Sequence, residues 1–169
     1  MSGLELAGLV ASIGGIVHIA GTAAKFSATL YRTARSAGSA RKDIEEFAMD
    51  VSTFASVIRV AHDSIQDHCR NNCQLHVLQY VEEHAVLGHI EAQCGRIAEH
   101  IQALGPRMSS IQSRIDLITR FKWTFRKQEV QALHPKMECV KSSLILLMLI
   151  VRFELKGAQE RTPDIGIEM

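Results

Sequence analysis

The sequence contains little proline and few aromatic residues. Its three prolines all lie after position 105, so the first hundred residues run without this helix breaker, and aromatic residues make up only 5% of the chain. A β-sandwich or β-barrel normally contains more aromatic and turn residues, which argues against those classes. The common residues are Leu, Ala, Ile, Glu, Gln, Lys and Arg, which favour helices. With 169 residues, 47% of them apolar, the chain predicts one all-α domain with a substantial core.

An excess of one charge and a recognisable set of metal ligands are also missing. The net charge of +1 argues against a dedicated nucleic-acid binder, whose affinity depends on many unbalanced basic residues. Cys94 and Cys139 lie on apolar helical stripes and are expected to be buried. Gly14 and Gly15 lack the Lys-Ser/Thr pair that follows a phosphate-binding loop. One cluster has ligand chemistry, although it falls where a helix should end: His68, Cys69, Cys73 and His76. The sequence therefore predicts a non-enzyme with no catalytic residues, no metal and no cofactor.

The longest uncharged segment lies near the N-terminus, at residues 6–24. Glu5 precedes it at a place where a secretory signal peptide carries Lys or Arg, so a signal peptide is not predicted. Seven large aliphatic residues favour bilayer insertion by about 2–4 kcal/mol in total, and four glycines and three polar residues oppose it. Insertion is therefore marginal, and two uses stay open. The segment is either the tightly packed first helix of a bundle or a helix that moves into lipid in a second state.

This glycine-containing apolar helix, residues 1–24, is the candidate membrane-active element. Its candidate lipid-contacting residues are Leu6, Leu9, Val10, Ile13, Gly14, Gly15, Ile16 and Val17. Five basic residues and no acid follow between positions 25 and 42, namely Lys25, Arg32, Arg35, Arg41 and Lys42. They either pack beside an acidic helix or face anionic lipid headgroups, where each cation contributes about 1 kcal/mol.

Apolar residues at 3-4 spacing predict the remaining helices after a small-residue break at positions 36–39. The second helix should fade near Cys69, with Asn71-Asn72 as its stop signal, and the third should run over residues 74–104 and end at Gly105-Pro106. A fourth covers residues 108–121, and a last long helix follows, in which Pro135 marks a bend or the start of the straight part. Residues 144–151 are apolar on every side and are predicted to be the most enclosed part. The sequence thus predicts an all-α bundle of about five helices over residues 1–156, followed by a linker or disordered tail at 157–169.

Three stretches have an order that is characteristic of one family. They are the apolar helix of residues 4–25, the helix of residues 40–60 that begins with Asp43-Ile44, and residues 113–150, in which a tryptophan and basic residues lead into a helix containing Lys-Ser-Ser-Leu. Together they cover about residues 1–156 and resemble the fungal HeLo-like N-terminal domains of STAND (NLR-like) proteins. The positions in the third stretch that match the family are Trp123, Lys127, Val130, Leu133, Met137, Lys141, Ser142, Ser143 and Leu144.

The resemblance implies a regulated cell-death effector. In this family a receptor or an amyloid-signalling region drives oligomerisation, the N-terminal helix is released, and membranes are permeabilised. It further implies a cytoplasmic protein that relocates to the plasma membrane, a homo-oligomer in the active state, anionic lipids as partners, and an upstream NLR or amyloid-signalling protein. The alternative is a soluble helical adaptor that binds other proteins and has no membrane activity. Fold alone cannot separate these two functions.

Overall fold

The chain forms a bundle of helices, as the sequence predicts. The computed structural model describes residues 3–35, 37–71, 76–109 and 116–160. These residues form five α-helices: α1 (Gly3–Ala34), α2 (Arg41–Asn71), α3 (His76–Glu83), α4 (Val86–Ser109) and α5 (Asp116–Glu160). A single 3-10 turn, Gly38–Ala40, joins α1 to α2 at the predicted small-residue break. The described part of the chain contains no strand, which confirms the all-α class.

The four long helices surround one core. α1 packs against α2 and α4, whereas α5 packs against α2 and α4 from the other side and also contacts α3. α1 and α5 therefore occupy diagonally opposite positions in the bundle. The core contains a void of about 10 Å³, which is lined by all four helices through Ile16, Ile58, Ala61, His62, Ile65, Leu87 and Leu144.

Contacts along the helices fix their directions. α1 and α2 form an antiparallel pair, in which the rings of Phe26 and Phe47 meet edge to face with their centroids 6.3 Å apart. α5 runs parallel to α2. Lys127 Nζ on α5 donates a hydrogen bond of 2.8 Å to Asp43 Oδ2 on α2. About two turns further along both helices, His134 Nδ1 lies 3.1 Å from Asp50 Oδ2, and these two residues are again 84 positions apart in the sequence.

The predicted apolar stripes form the core. On α2 all six predicted stripe residues are buried, namely Ile44, Phe47, Val51, Phe54, Ile58 and Ile65. On α5 the 3-4 repeat is buried at every position, namely Val130, Leu133, Met137, Val140, Leu144, Leu147 and Val151. On α3 and α4 the buried stripe residues are Val81, Leu87, Ile90, Cys94, Ile97, Ile101 and Leu104, and Leu78 lies outside the described side chains. Three-four spacing was therefore sufficient to identify these core-facing residues.

The predicted single helix over residues 74–104 is wrong, because the chain breaks between α3 and α4. Ala85 adopts a φ of 48°, which ends one helix and redirects the chain into the next. The reason lies in the spacing of the stripe. Val81 and Leu87 are six positions apart, which places them on different sides of a continuous helix, yet both are buried. The break at Ala85 allows both side chains to reach the core.

The predicted helix boundaries around the prolines are also wrong. α4 continues through Gly105-Pro106 to Ser109. Residues 110–115 lie outside the described chain, and α5 then runs unbroken from Asp116 through Pro135 to Glu160. Pro135 removes the backbone hydrogen bond to the carbonyl of Gln131. Both residues are exposed on the outer side of α5, so the carbonyl of Gln131 is accessible to solvent, and the helix continues through Pro135. α5 also extends four residues past the predicted domain boundary, and residues 161–169 lie outside the description.

A single carboxylate joins the short α3 to the end of α5. Glu154 on α5 accepts hydrogen bonds from the backbone N–H groups of His76 at 2.6 Å and Val77 at 2.8 Å. These are the first two residues of α3, whose N–H groups have no partner within the helix. Glu154 thus caps α3 from 77 residues away in sequence, with the charge sign that a helix N-terminus favours.

Candidate membrane-active helix and exposed apolar face

The candidate membrane-active residues are located in the first half of α1. The side chains of Leu6, Leu9, Val10 and Ile13 lie outside the described part of the structure. Gly14 is exposed, Gly15 and Val17 are half-buried, and Ile16 is buried in the core. From residue 14 onward, α1 therefore has one face in the bundle and one face in solvent. Among the described residues, no helix has a stretch long and apolar enough to cross a bilayer.

Within the part of the chain that the structure describes, residues 14–24 of α1 are held in the bundle by apolar packing. Their buried side chains are Ile16, Ile19, Ala20 and Ala23. Among the described residues, the one side-chain hydrogen bond of this segment is internal and runs from Thr22 Oγ1 to the carbonyl of His18. Within the described structure, no hydrogen bond or ion pair joins these residues to α2 or α4. The next buried polar group differs, because Ser27 Oγ donates a 2.7 Å hydrogen bond to the carbonyl of Ala48 on α2.

The two adjacent glycines have different surroundings. A Cβ atom at Gly14 would meet no atom within 4 Å. A Cβ at Gly15 would collide with the carboxylate of Glu91 on α4, whose Cδ would lie 2.9 Å away. Gly15 therefore leaves room for the carboxylate of Glu91, which is the far end of a flexible side chain, whereas Gly14 faces open space. The sequence pattern did not distinguish them.

The five candidate basic residues are all exposed, but three of them lie far from the apolar segment. Arg41 pairs with Glu45 at 2.7 Å, and Lys42 lies 3.9 Å from Glu46. Arg32 donates a hydrogen bond to Thr29. At 1.5 Å per residue, the 26 positions between Leu9 and Arg35 correspond to about 39 Å along the helix. Arg35, Arg41 and Lys42 thus lie at the opposite end of the bundle from the N-terminal segment.

Enzyme-like chemistry finds little support among the described residues. Among the described residues, no group of three His, Cys, Asp or Glu side chains is arranged to hold a metal. Of the cluster with ligand chemistry, His68, Cys69 and Cys73 lie outside the described side chains, and His76 is exposed at the start of α3. Burial, with a smaller contribution from Glu91, raises the pKa of the Cys94 thiol from 9.0 to about 12. Cys94 is therefore an unreactive core thiol, as predicted, and the prediction for Cys139 is wrong because that residue is exposed. The absence of enzymatic activity stays a prediction.

An open groove of about 510 Å³ lies between α4 and α5. Its polar walls carry Arg96, His100 and Lys136 together with Glu99 and Gln93, and Cys139 lies at its edge. The groove is a surface depression whose lining carries charges of both signs.

The most unexpected surface lies on the outer side of α5. Five large apolar side chains there are between 43% and 74% exposed: Ile145, Leu146, Leu149, Ile150 and Phe153. We call this set the α5 outer face. The prediction that residues 144–151 are the most enclosed part of the bundle is therefore wrong. The bundle covers α5 on one side only, so the second apolar side of this helix stays in solvent.

A second 3-4 repeat runs along this outer side and was overlooked in the sequence. Its members are Cys139, Ser142, Leu146, Leu149 and Phe153. Beside it lies a groove of about 480 Å³ between α5 and α2, lined by Val60, Ser64, Ile145, Met148, Leu149 and Arg152. Single exposed apolar residues are common on protein surfaces, but five contiguous ones usually mark an interaction site.

The comparisons with known proteins do not identify a relative. No protein family, no curated protein and no solved structure matches the chain significantly.

Proposed function

We propose that this protein is the effector module of a regulated cell-death system, which oligomerises and permeabilises membranes through its N-terminal helix. The observation that carries the proposal is the absence of polar links between residues 14–24 and the rest of the described bundle. Apolar burial of Ile16 and Ile19, about 1.5–3 kcal/mol for each side chain, is recovered when those side chains enter lipid. Release of the segment therefore breaks contacts that a bilayer can replace.

The first polar contact between α1 and α2 indicates where the released segment ends. Ser27 holds α1 to the carbonyl of Ala48, and Lys25 is the first charged residue after the apolar segment. We infer that α1 opens near residues 25–27 and stays attached to α2 beyond that point. In the released state Lys25 lies next to the membrane-bound segment, where it faces anionic lipid headgroups. The protein is then cytoplasmic at rest and relocates to the plasma membrane on activation by an NLR or amyloid-signalling partner.

A reversible crosslink between α1 and α4 tests this proposal. Gly15→Cys and Glu91→Cys, in a background with the native cysteines replaced, place two thiols where a Cβ at position 15 lies 3.6 Å from Cγ of residue 91. Leakage of dye from phosphatidylserine-containing vesicles is measured with oxidised and reduced samples of the same protein. We expect leakage only after reduction. Equal leakage in both samples contradicts release of α1, and no leakage under any clustering condition contradicts membrane permeabilisation.

Truncation is a poorer test, because residues 16–24 supply core side chains. A substitution at Gly14 avoids this difficulty. Gly14→Leu projects into open space, so we expect a small effect on unfolding and a larger one on vesicle leakage. Gly15→Leu collides with Glu91 and is expected to lower stability as well. A Gly14→Leu variant with unchanged leakage argues against lipid contact by this face of the helix.

The second candidate function is a soluble adaptor that binds other helical proteins. The α5 outer face favours it, because exposed apolar residues at 3-4 spacing are how one helix is recognised by another. Membrane fractionation after induced clustering separates the two functions. An adaptor stays in the soluble fraction and retains its partner, whereas a membrane-permeabilising effector moves to the membrane fraction.

A further inference from the structure

We propose that the α5 outer face is the contact between two copies of this chain, in which the two α5 helices pair antiparallel about a two-fold axis. The inference does not depend on membrane activity. α1 lies diagonally opposite α5 in the bundle, so the pairing leaves the candidate membrane-active helix uncovered.

The spacing of the face indicates that its partner is a helix. α5 carries two 3-4 repeats, one buried in its own bundle and one on the outer side, which are Cys139, Ser142, Leu146, Leu149 and Phe153. A repeat of this kind packs its side chains between those of a second helix. Ile145 and Ile150 flank the outer repeat, so the apolar surface is wider than one row.

Charge complementarity indicates that the helix is a second α5 in the opposite direction. Glu138 lies at one end of the outer side, where it pairs with Lys141 of its own helix. Arg152 and Lys156 lie exposed at the other end. If two α5 helices pair antiparallel about the level of residue 147, Glu138 of one copy faces Lys156 of the other. A parallel pair instead places Arg152 and Lys156 opposite their own counterparts, which is unfavourable.

The same axis also brings together matching shapes. Ile145 of one copy lies beside Leu149 of the other, and the reverse contact repeats this pair, as a two-fold axis requires. Phe153, the most exposed side chain of the face, lies close to Ser142 of the second copy, where a small residue leaves room for the ring. The open groove between Val60 and Leu149 adds a depression beside the ridge. The same patch on each copy therefore supplies both the ridge and the depression that receives it, as a two-fold dimer requires.

Sedimentation equilibrium of the full chain over micromolar to millimolar concentrations tests the pairing. We expect a monomer–dimer equilibrium that Leu146→Glu/Leu149→Glu weakens at least about tenfold, which corresponds to about 1.4 kcal/mol. Met49→Glu introduces one negative charge at an exposed apolar residue of α2 outside the α5 outer face and should leave the equilibrium unchanged. Helical circular dichroism confirms that each variant is folded. A protein that stays monomeric at all concentrations overturns the inference.

A charge exchange tests the direction of the pair. Glu138→Lys alone should weaken dimerisation, and Glu138→Lys/Lys156→Glu should restore it, because the two positions face each other only in the antiparallel arrangement. Failure of the double variant to recover dimerisation overturns the antiparallel pairing. Binding of the monomer to phosphatidylcholine vesicles that is lost in Leu146→Glu/Leu149→Glu, without any dimer, shows a lipid-facing surface and also overturns it. Dimerisation without vesicle leakage supports the inference while contradicting the proposed function.

Discussion

The adjacent glycines of α1 allow a measurement of how tightly α1 is held against α4. In a helix, glycine is about 0.8–1.0 kcal/mol less favourable than alanine. Gly14→Ala meets no atom within 4 Å, so we expect the full gain of about 1 kcal/mol and a rise in Tm of about 2–4 °C. Gly15→Ala gains the same stability from the higher helix propensity of alanine, but its Cβ displaces the carboxylate of Glu91. Moving that side chain off its preferred rotamer costs about 0.5–1.5 kcal/mol, which offsets the gain.

A double-mutant cycle isolates the contact between Gly15 and Glu91. In a Glu91→Ala background, Gly15→Ala should recover the full gain, giving a coupling of about 1 kcal/mol between the two positions. Gly21→Ala, which also meets no atom within 4 Å, serves as the matched control and should show no coupling to Glu91. The assay is urea unfolding followed by circular dichroism. If Gly14→Ala and Gly15→Ala change stability equally in both backgrounds, the Glu91 side chain does not occupy the space beside Gly15.

Three further changes test other parts of the bundle. Leu144→Ala beside the central void should lower the free energy of unfolding by about 2–5 kcal/mol. Leu146→Ala, on the exposed side of the same helix, should lower it by less than about 0.5 kcal/mol. Urea unfolding measures both. Ala85→Gly should stabilise the fold by about 1 kcal/mol, because alanine is strained at a φ of 48°; a decrease in Tm contradicts this. The raised pKa of Cys94 predicts that stability falls between pH 9 and 12, where the unfolded chain loses this proton first, and that Cys94→Ala flattens the decline.

The core was predictable because its signal is periodic. The stripe from Ile44 to Ile65 and the stripe from Val130 to Val151 each follow one side of a helix, and the bundle buries both. The end of α2 at Asn71 also agrees with the sequence. These features depend on residues that are neighbours along a single helix. Local pattern therefore sufficed for them.

The α3–α4 break and the α5 outer face depend on contacts that are remote in the sequence. No glycine or proline marks Ala85, and the remaining signal was the six-residue interval between Val81 and Leu87. Likewise, a helix that is apolar on all sides either has neighbours all around it or has one side exposed. Only the number of helices packed around α5 decides between these, and that number is a property of the whole bundle. The lipid-contacting role of residues 1–24 stays a prediction.

The cap that Glu154 places on α3 sets a lower limit on the length of a stable fragment. A fragment that stops before this residue loses the carboxylate for two N–H groups at the start of α3, although α3 itself lies more than seventy residues upstream. Such a truncation would leave the sequence of α3 intact and still loosen it. Any shortened form made for expression or crystallisation should therefore extend through the last turns of α5.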